Sequence, residues 1–188
     1  MPPKTQITRE MILDAAVEIA RQTGAENITA RTVAGKLKCS TQPIMYHFGT
    51  IEALKRSAYA KADQLHTAYL LDVQQGNPLL GIGMNYIRFA VQEPHLFRFL
   101  FQSGFAQEND LLSMIDAPAL APVLSAMQGA MGLPLQKTKD IFITLAMFVH
   151  GYASIIANNN LNFDEEVIAS HLERTYRGAI LAIQEENG

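Results

Sequence analysis

Apolar residues recur along this chain at intervals of three and four, the period of helices packed on one side. Ile12, Ala15, Ala16, Ile19 and Ala20 form the first such stripe, with Thr8 placed to cap its start and Gly24 to end it. Thr29 opens a short second helix carrying Val33, Ala34 and Leu37 on one side, and a tight connection through Lys38 and Cys39 leads to a third. Ser40 is the expected cap of that third helix. Thr41, Gln42 and Pro43 form its first turn, where the missing proline amide hydrogen would have had no partner anyway. Ile44 and Phe48, four apart, predict its inward side, and Gly49 its end. Thr50 then caps a longer helix bearing Ile51, Leu54, Ala58, Ala62 and Leu65.

Beyond it, Asn77 and Pro78 supply a cap and a first-position proline before a helix over 84–91, and Pro94 opens another with Leu96, Phe97, Leu100 and Phe101. Pro118, Pro122, Gly132 and Pro134 punctuate a helical region over 119–131. Two longer helices follow, over 135–159 and 163–184. No strand alternation, repeat or low-complexity tract interrupts the series. The pattern predicts an all-α chain of about nine helices: a three-helix unit over 1–50 and a larger helical body over 51–188.

Composition narrows the class. Of 188 residues, 48% are hydrophobic and only 18% charged, which suits a packed globular protein rather than a disordered one. The formal net charge of -3 is unevenly placed: residues 1–65 hold nine Lys or Arg against six Asp or Glu, +3, leaving -6 for the rest. A positive head on a negative body orients a protein on a polyanion. Cys39 stands alone, so no internal disulfide forms, in keeping with a reducing compartment. The segment over 1–9 is polar and lacks the apolar run of a signal peptide. The most apolar stretch, Ile141 to Ala157, is broken by Thr144, His150, Gly151, Tyr152 and Ser154 and falls short of the roughly 20 residues that span a bilayer. The expectation is a buried helix and a cytoplasmic protein with no membrane contact.

Catalysis finds no support in the residues. His47, His66, His95, His150 and His171 are scattered without metal-ligand spacing, no glycine loop cradles a phosphate, and no base stands near Cys39 in sequence. No enzyme, metal or cofactor is expected. Two short helices joined by a tight turn form instead a helix-turn-helix, whose second helix enters the major groove of DNA. With Ile44 and Phe48 inward, the outward positions are Thr41, Gln42, Pro43, Met45, Tyr46 and His47. That mixture of amide, hydroxyl, ring and apolar groups suits base edges and thymine methyls better than an ordinary solvated helix would. Arg31 and Thr32, at the start of the preceding helix, are within reach of phosphate or a base edge. Many small helical domains carry such a pair without touching DNA, so the pattern alone does not decide.

The run from Ile7 to Tyr59, with "ILDAAVEIARQTGAENITARTVAGKL" and "STQPIMYHFGTIEALKRSAY", resembles the DNA-binding domain of TetR-like transcriptional repressors. Its most specific parts are the Thr29, Arg31, Ala34 and Leu37 pattern and the Tyr46-His47-Phe48 triplet. Farther on, "FVHGYASIIANN" from Phe148 resembles a TetR-like subgroup with a His-Gly pair in its eighth helix. The resemblance implies that Thr29 and Arg31 contact the DNA backbone and a base, that Thr41, Gln42 and Pro43 read bases, and that His47 contacts phosphate. This chain departs from the pattern at three places: Lys38 replaces a turn glycine, Met45 a DNA-contacting tyrosine, and Ile51 a phosphate-gripping lysine. Tyr46 and Lys55 are the nearest substitutes. A helical adaptor that uses the same scaffold to bind proteins, its DNA face weakened by those changes, is the alternative.

The resemblance further implies a homodimer on a palindromic double-stranded operator and an unidentified, largely apolar small-molecule effector in the body. Met84, Ile87, Phe97, Phe101, Met114, Met127, Met131 and Met147 supply an apolar lining for it, and His150 and Tyr152 polar tips. Ala146, Gly151, Ala153, Ser154 and Ala157 on one late helix, with Ile168, Leu172, Thr175, Ala179 and Ile183 on the next, are the expected dimer surface.

Overall fold

The computed structural model describes residues 6–74, 76–105, 115–159 and 161–185. Among them the chain is helical throughout, as the pattern predicts: α1 (Arg9–Thr23), α2 (Ala30–Lys36), α3 (Gln42–Phe48), α4 (Ile51–Leu71), α5 (Pro78–Gln92), α6 (Pro94–Gln102), α7 (Ala121–Met131), α8 (Leu135–Asn159) and α9 (Glu165–Glu185). Met114, an expected lining residue, lies outside the described residues.

Side-chain caps fix most of the starts. Thr8 Oγ1 accepts from the Met11 amide at 3.2 Å, Thr50 Oγ1 from Ala53 at 3.0 Å, and Asn77 Oδ1 from Leu79 at 3.0 Å. Gly24 ends α1, and Gly49, with φ of 70°, turns the chain sharply between α3 and α4. One expected cap is corrected. The residue before α3 is Thr41 rather than Ser40, and its hydroxyl makes no capping bond because its backbone is already helical, φ -74° and ψ -13°.

The helices gather into two compact units. The first takes in the chain through Asp63 and returns for Glu93–Ala106; the second comprises Gln64–Gln92 and the chain from Gln107 onward. The expected boundary at residue 50 falls inside the first of these.

In the first unit, Ile12, Ala16 and Ala20 of α1, Leu54, Ala58 and Ala62 of α4, and Leu96 and Phe97 of α6 are sealed from solvent. A spacing of four puts the α1 set and the α4 set each on one helical face, and Leu96 and Phe97 are neighbours on α6. At roughly 1.5–3 kcal/mol for each large side chain buried, this apolar contact dominates the unit's stability. Polar ties add orientation: the Arg9 guanidinium lies over the Phe48 ring at 4.6 Å, and Lys61 of α4 pairs with both Glu10 and Asp14 of α1, which raises its pKa.

The second unit is built around α8, which packs against α5, α7 and α9. Its core includes Ile82, Ile87, Met127, Ile141, Leu145, Val149, Ile168 and Leu172. Gly83 permits close approach there, since a methyl group at that position would meet Leu172 Cδ2 at 2.7 Å. The helix around the apolar run has the range its spacing predicts, 135–159, and at 25 residues α8 is long and apolar enough to cross a membrane by length and composition. Ile141, Leu145, Val149, Ala153 and Ile156 are nevertheless buried, which gives the helix a packed face within its own chain.

Candidate nucleic-acid interface

The turn between α2 and α3 carries the first departure. Lys38 has φ of 52°, the left-handed region. Its amide bonds back to the Gly35 carbonyl at 3.2 Å and the Cys39 amide to that of Ala34 at 3.0 Å, the paired pattern that closes a helix and favours glycine at this position. A lysine Cβ crowds the backbone here. Lys38→Gly is therefore expected to raise stability by about 0.5–1 kcal/mol, net of the entropy glycine loses on folding, and Lys38→Ala to give none of that gain. Urea midpoints of the two variants against the parent chain measure the difference.

Beyond this turn, α3 buries Ile44 and Phe48 and turns the rest of its side chains outward. Thr41, Gln42, Met45 and Tyr46 are exposed, Tyr46 at 85% and Met45 at 41%, while Pro43 and His47 are half-buried. His47 is already engaged: its Nε2 lies 3.1 Å from the Ile7 carbonyl, which can only accept, so the ring nitrogen donates there. Thr29 and Thr32 are likewise committed. Thr29 Oγ1 accepts from the Thr32 amide at 3.1 Å, Thr32 Oγ1 accepts from the Thr29 amide at 3.0 Å, and Thr32 Oγ1 also donates to the Asn27 carbonyl at 2.7 Å. Their hydroxyls hold the start of α2 in shape. Arg31, between them, points to solvent.

Charge frames this surface. Among the described residues Arg31, Lys38 and Lys55 enter no ion pair, whereas Arg21, Arg56 and Lys61 do. Lys55 is half-buried and lines a cleft of about 540 Å³ with Glu26, His95, Arg98, Gln102 and Phe105. Sequence reasoning missed this cleft, because the segment after α1, α4 and α6 are brought together in it only by long-range packing. Ile51, where the resemblance expects lysine, is half-buried.

Of the expected lining of the body, Phe97 and Phe101 belong to the first unit, where Phe97 is wholly buried. Met147 is 48% exposed. Met84, Ile87 and Met127 are closed into the core of the second unit, with Met131 and Tyr152 packed against it. The polar tips have partners: Tyr86 Oη lies 2.8 Å from His150 Nδ1, and Tyr152 Oη 2.7 Å from His171 Nδ1. Burial lowers the His150 pKa and drives that of Tyr86 strongly upward, which favours the neutral form of both groups. Part of the expected dimer surface is internal as well, Ala153, Ile168 and Leu172 all being buried. The apolar side chains left exposed on the last two helices are instead Leu135, Met147, Ile155, Val167 and Leu181.

A helix-turn-helix with an outward-facing second helix that bears no Lys, Arg, Asp or Glu, on the same chain as a body that is helical among its described residues, is the arrangement of DNA-binding transcriptional regulators. A family profile described as "Tetracyclin repressor-like, C-terminal domain" matches residues 79–177, more than half of the chain. The chain belongs to this TetR family. It is 21% identical over 177 residues to the uncharacterized HTH-type transcriptional regulator YobS of Bacillus subtilis (strain 168), covering 90% of each chain. Among solved structures it is similar to the TetR family member SCO1917 from Streptomyces coelicolor A3, with a TM-score of 0.59 and 19% identity over 89% of this chain and 96% of that one. It is also similar to a TetR variant from Acinetobacter baumannii AYE in complex with minocycline, with a TM-score of 0.60 and 12% identity over 97% and 99% of the two chains.

Proposed function

We propose that this regulator is a repressor that binds a palindromic operator as a homodimer and is modulated by a small molecule held in its helical body. The observation that carries the proposal is the outward side of α3: Gln42, Met45 and Tyr46 stand exposed opposite the buried pair Ile44 and Phe48, and no acidic group lies on that helix. Arg31, at the start of α2, and Lys38, in the turn before α3, supply positive charge within the same motif. Two copies present two such helices, and a separation of about 34 Å would fit successive major grooves.

The exposed sides of α8 and α9 support the dimer. Met147 and Ile155 share one side of α8, and Val167, Gly178 and Leu181 one side of α9, with open space around Gly151 and Gly178 where a close neighbour fits. For the effector, the part-buried Tyr86–His150 and Tyr152–His171 pairs bring polar groups to a unit whose apolar core holds Met84, Ile87 and Met127, the mixture that orients a largely apolar ligand. The Acinetobacter relative binds minocycline in its solved complex, in keeping with this reading. A coupling of about 1–3 kcal/mol between the two sites suffices for regulation.

Duplexes selected from a randomised library by the full-length chain provide the test. Their affinity is expected to fall linearly in log terms with rising salt, as phosphate contacts release counterions. Arg31→Ala and Gln42→Ala are each expected to lose about 1–3 kcal/mol of preference for the selected site over a mutated one. A chain that selects no duplex at low salt is the adaptor instead. Unchanged discrimination in both variants would move the reading face elsewhere.

A further inference from the structure

The second helix of the pair has an unusual inventory of donors. Residues 41–48 contain no Lys, Arg, Asp or Glu, and, the exposed Thr41 hydroxyl aside, neighbouring groups that could have added readers are engaged inside the protein: the Thr29 and Thr32 hydroxyls with each other, and His47 Nε2 with the Ile7 carbonyl. Gln42, Met45 and Tyr46, at positions i, i+3 and i+4, share the outward side.

The four base pairs ask for different chemistry in the major groove. Guanine offers two acceptors, N7 and O6, best met by the forked donors of Arg or by Lys; cytosine offers a donor, met by a carboxylate. Neither partner stands on α3. Adenine offers one acceptor and one donor, which a glutamine amide matches in two bonds, and thymine offers a methyl group that apolar side chains cover.

Building on the DNA-binding reading above, we infer that α3 reads a run of A·T pairs, with Gln42 on an adenine and Met45, flanked by the Tyr46 ring, on thymine methyls. Guanine readout falls to Arg31, off this helix. Met45 then replaces a polar contact with methyl recognition, which makes the departure from the family pattern a determinant of specificity.

The probe is a duplex selected from a randomised library by the full-length chain, remade with uracil for thymine or 7-deazaadenine for adenine within each half-site. Each thymine methyl facing α3 is expected to be worth about fourfold in affinity. Met45→Ala abolishes the uracil effect and leaves the 7-deazaadenine effect intact, and Gln42→Ala does the reverse. Both side chains are exposed, so unchanged thermal melting of the variants certifies that the fold is retained. Half-sites dominated by G·C opposite α3, or equal affinity for the thymine and uracil duplexes, overturn the inference while leaving the regulator reading in place. Failure to select any duplex overturns both.

Discussion

Acidification from pH 6.5 to 4 is expected to destabilise the folded chain by about 3 kcal/mol through His66 alone, on the scale of 1.36 kcal/mol per pKa unit. His66 is buried on α4 with its ring edge-on to Phe89 at 4.8 Å and to Tyr86 at 5.3 Å. Desolvation lowers its pKa from 6.5 to about 4. A depressed value means that the fold prefers the neutral ring, so the unfolded chain takes up a proton first as the pH drops. The contribution is complete above pH 6.5 and disappears as the pH falls through 4. His150 acts in the same direction, because burial lowers its pKa too. Urea midpoints at a series of pH values measure the slope. His66→Phe, which keeps a ring but cannot titrate, is expected to flatten it relative to the parent chain, with the carboxylates common to both. Identical slopes would show that His66 is solvated.

Phe97→Ala is expected to cost about 3–5 kcal/mol of stability, the range for deleting a fully buried phenylalanine. The residue is completely inaccessible, stacks near Phe101 with ring centroids 4.9 Å apart, and sits on α6 beside the equally buried Leu96. Against a typical net stability of about 5–15 kcal/mol, that loss removes a large share. The substitution also separates two roles. A side chain lining an open ligand pocket gives up ligand affinity when truncated and little stability, whereas a core side chain does the opposite. A change in the urea midpoint equivalent to less than about 1 kcal/mol would return Phe97 to the pocket.

What the sequence made legible is what is decided locally. Thr8, Thr29, Thr50 and Asn77 cap helices because hydroxyl and amide oxygens reach amides two or three residues on, whatever the rest of the chain does. The inward pair Ile44 and Phe48 follows from helical period alone. Ser40 and Thr41 offered two hydroxyls in succession, and no local rule chose between them. Long-range choices were hidden. Nothing in the residues of α6 says that it packs on α1. On α8, apolar residues on several sides left its buried stripe unmarked, and Met147 emerged in solvent while Ala153 turned inward. The His66, Tyr86 and His150 cluster joins three distant positions with no motif to announce it.

The seam between α1 and α4 bears on how DNA affinity responds to ionic strength. Its ion pairs, from Lys61 to Glu10 and Asp14, fade as mobile ions accumulate, but the buried Leu54, Ala58 and Ala62 of α4 carry no charge for those ions to screen. Brine that strips a duplex from this chain therefore leaves the scaffold behind α3 standing, and the steepness of the release counts phosphates rather than the loosening of a protein.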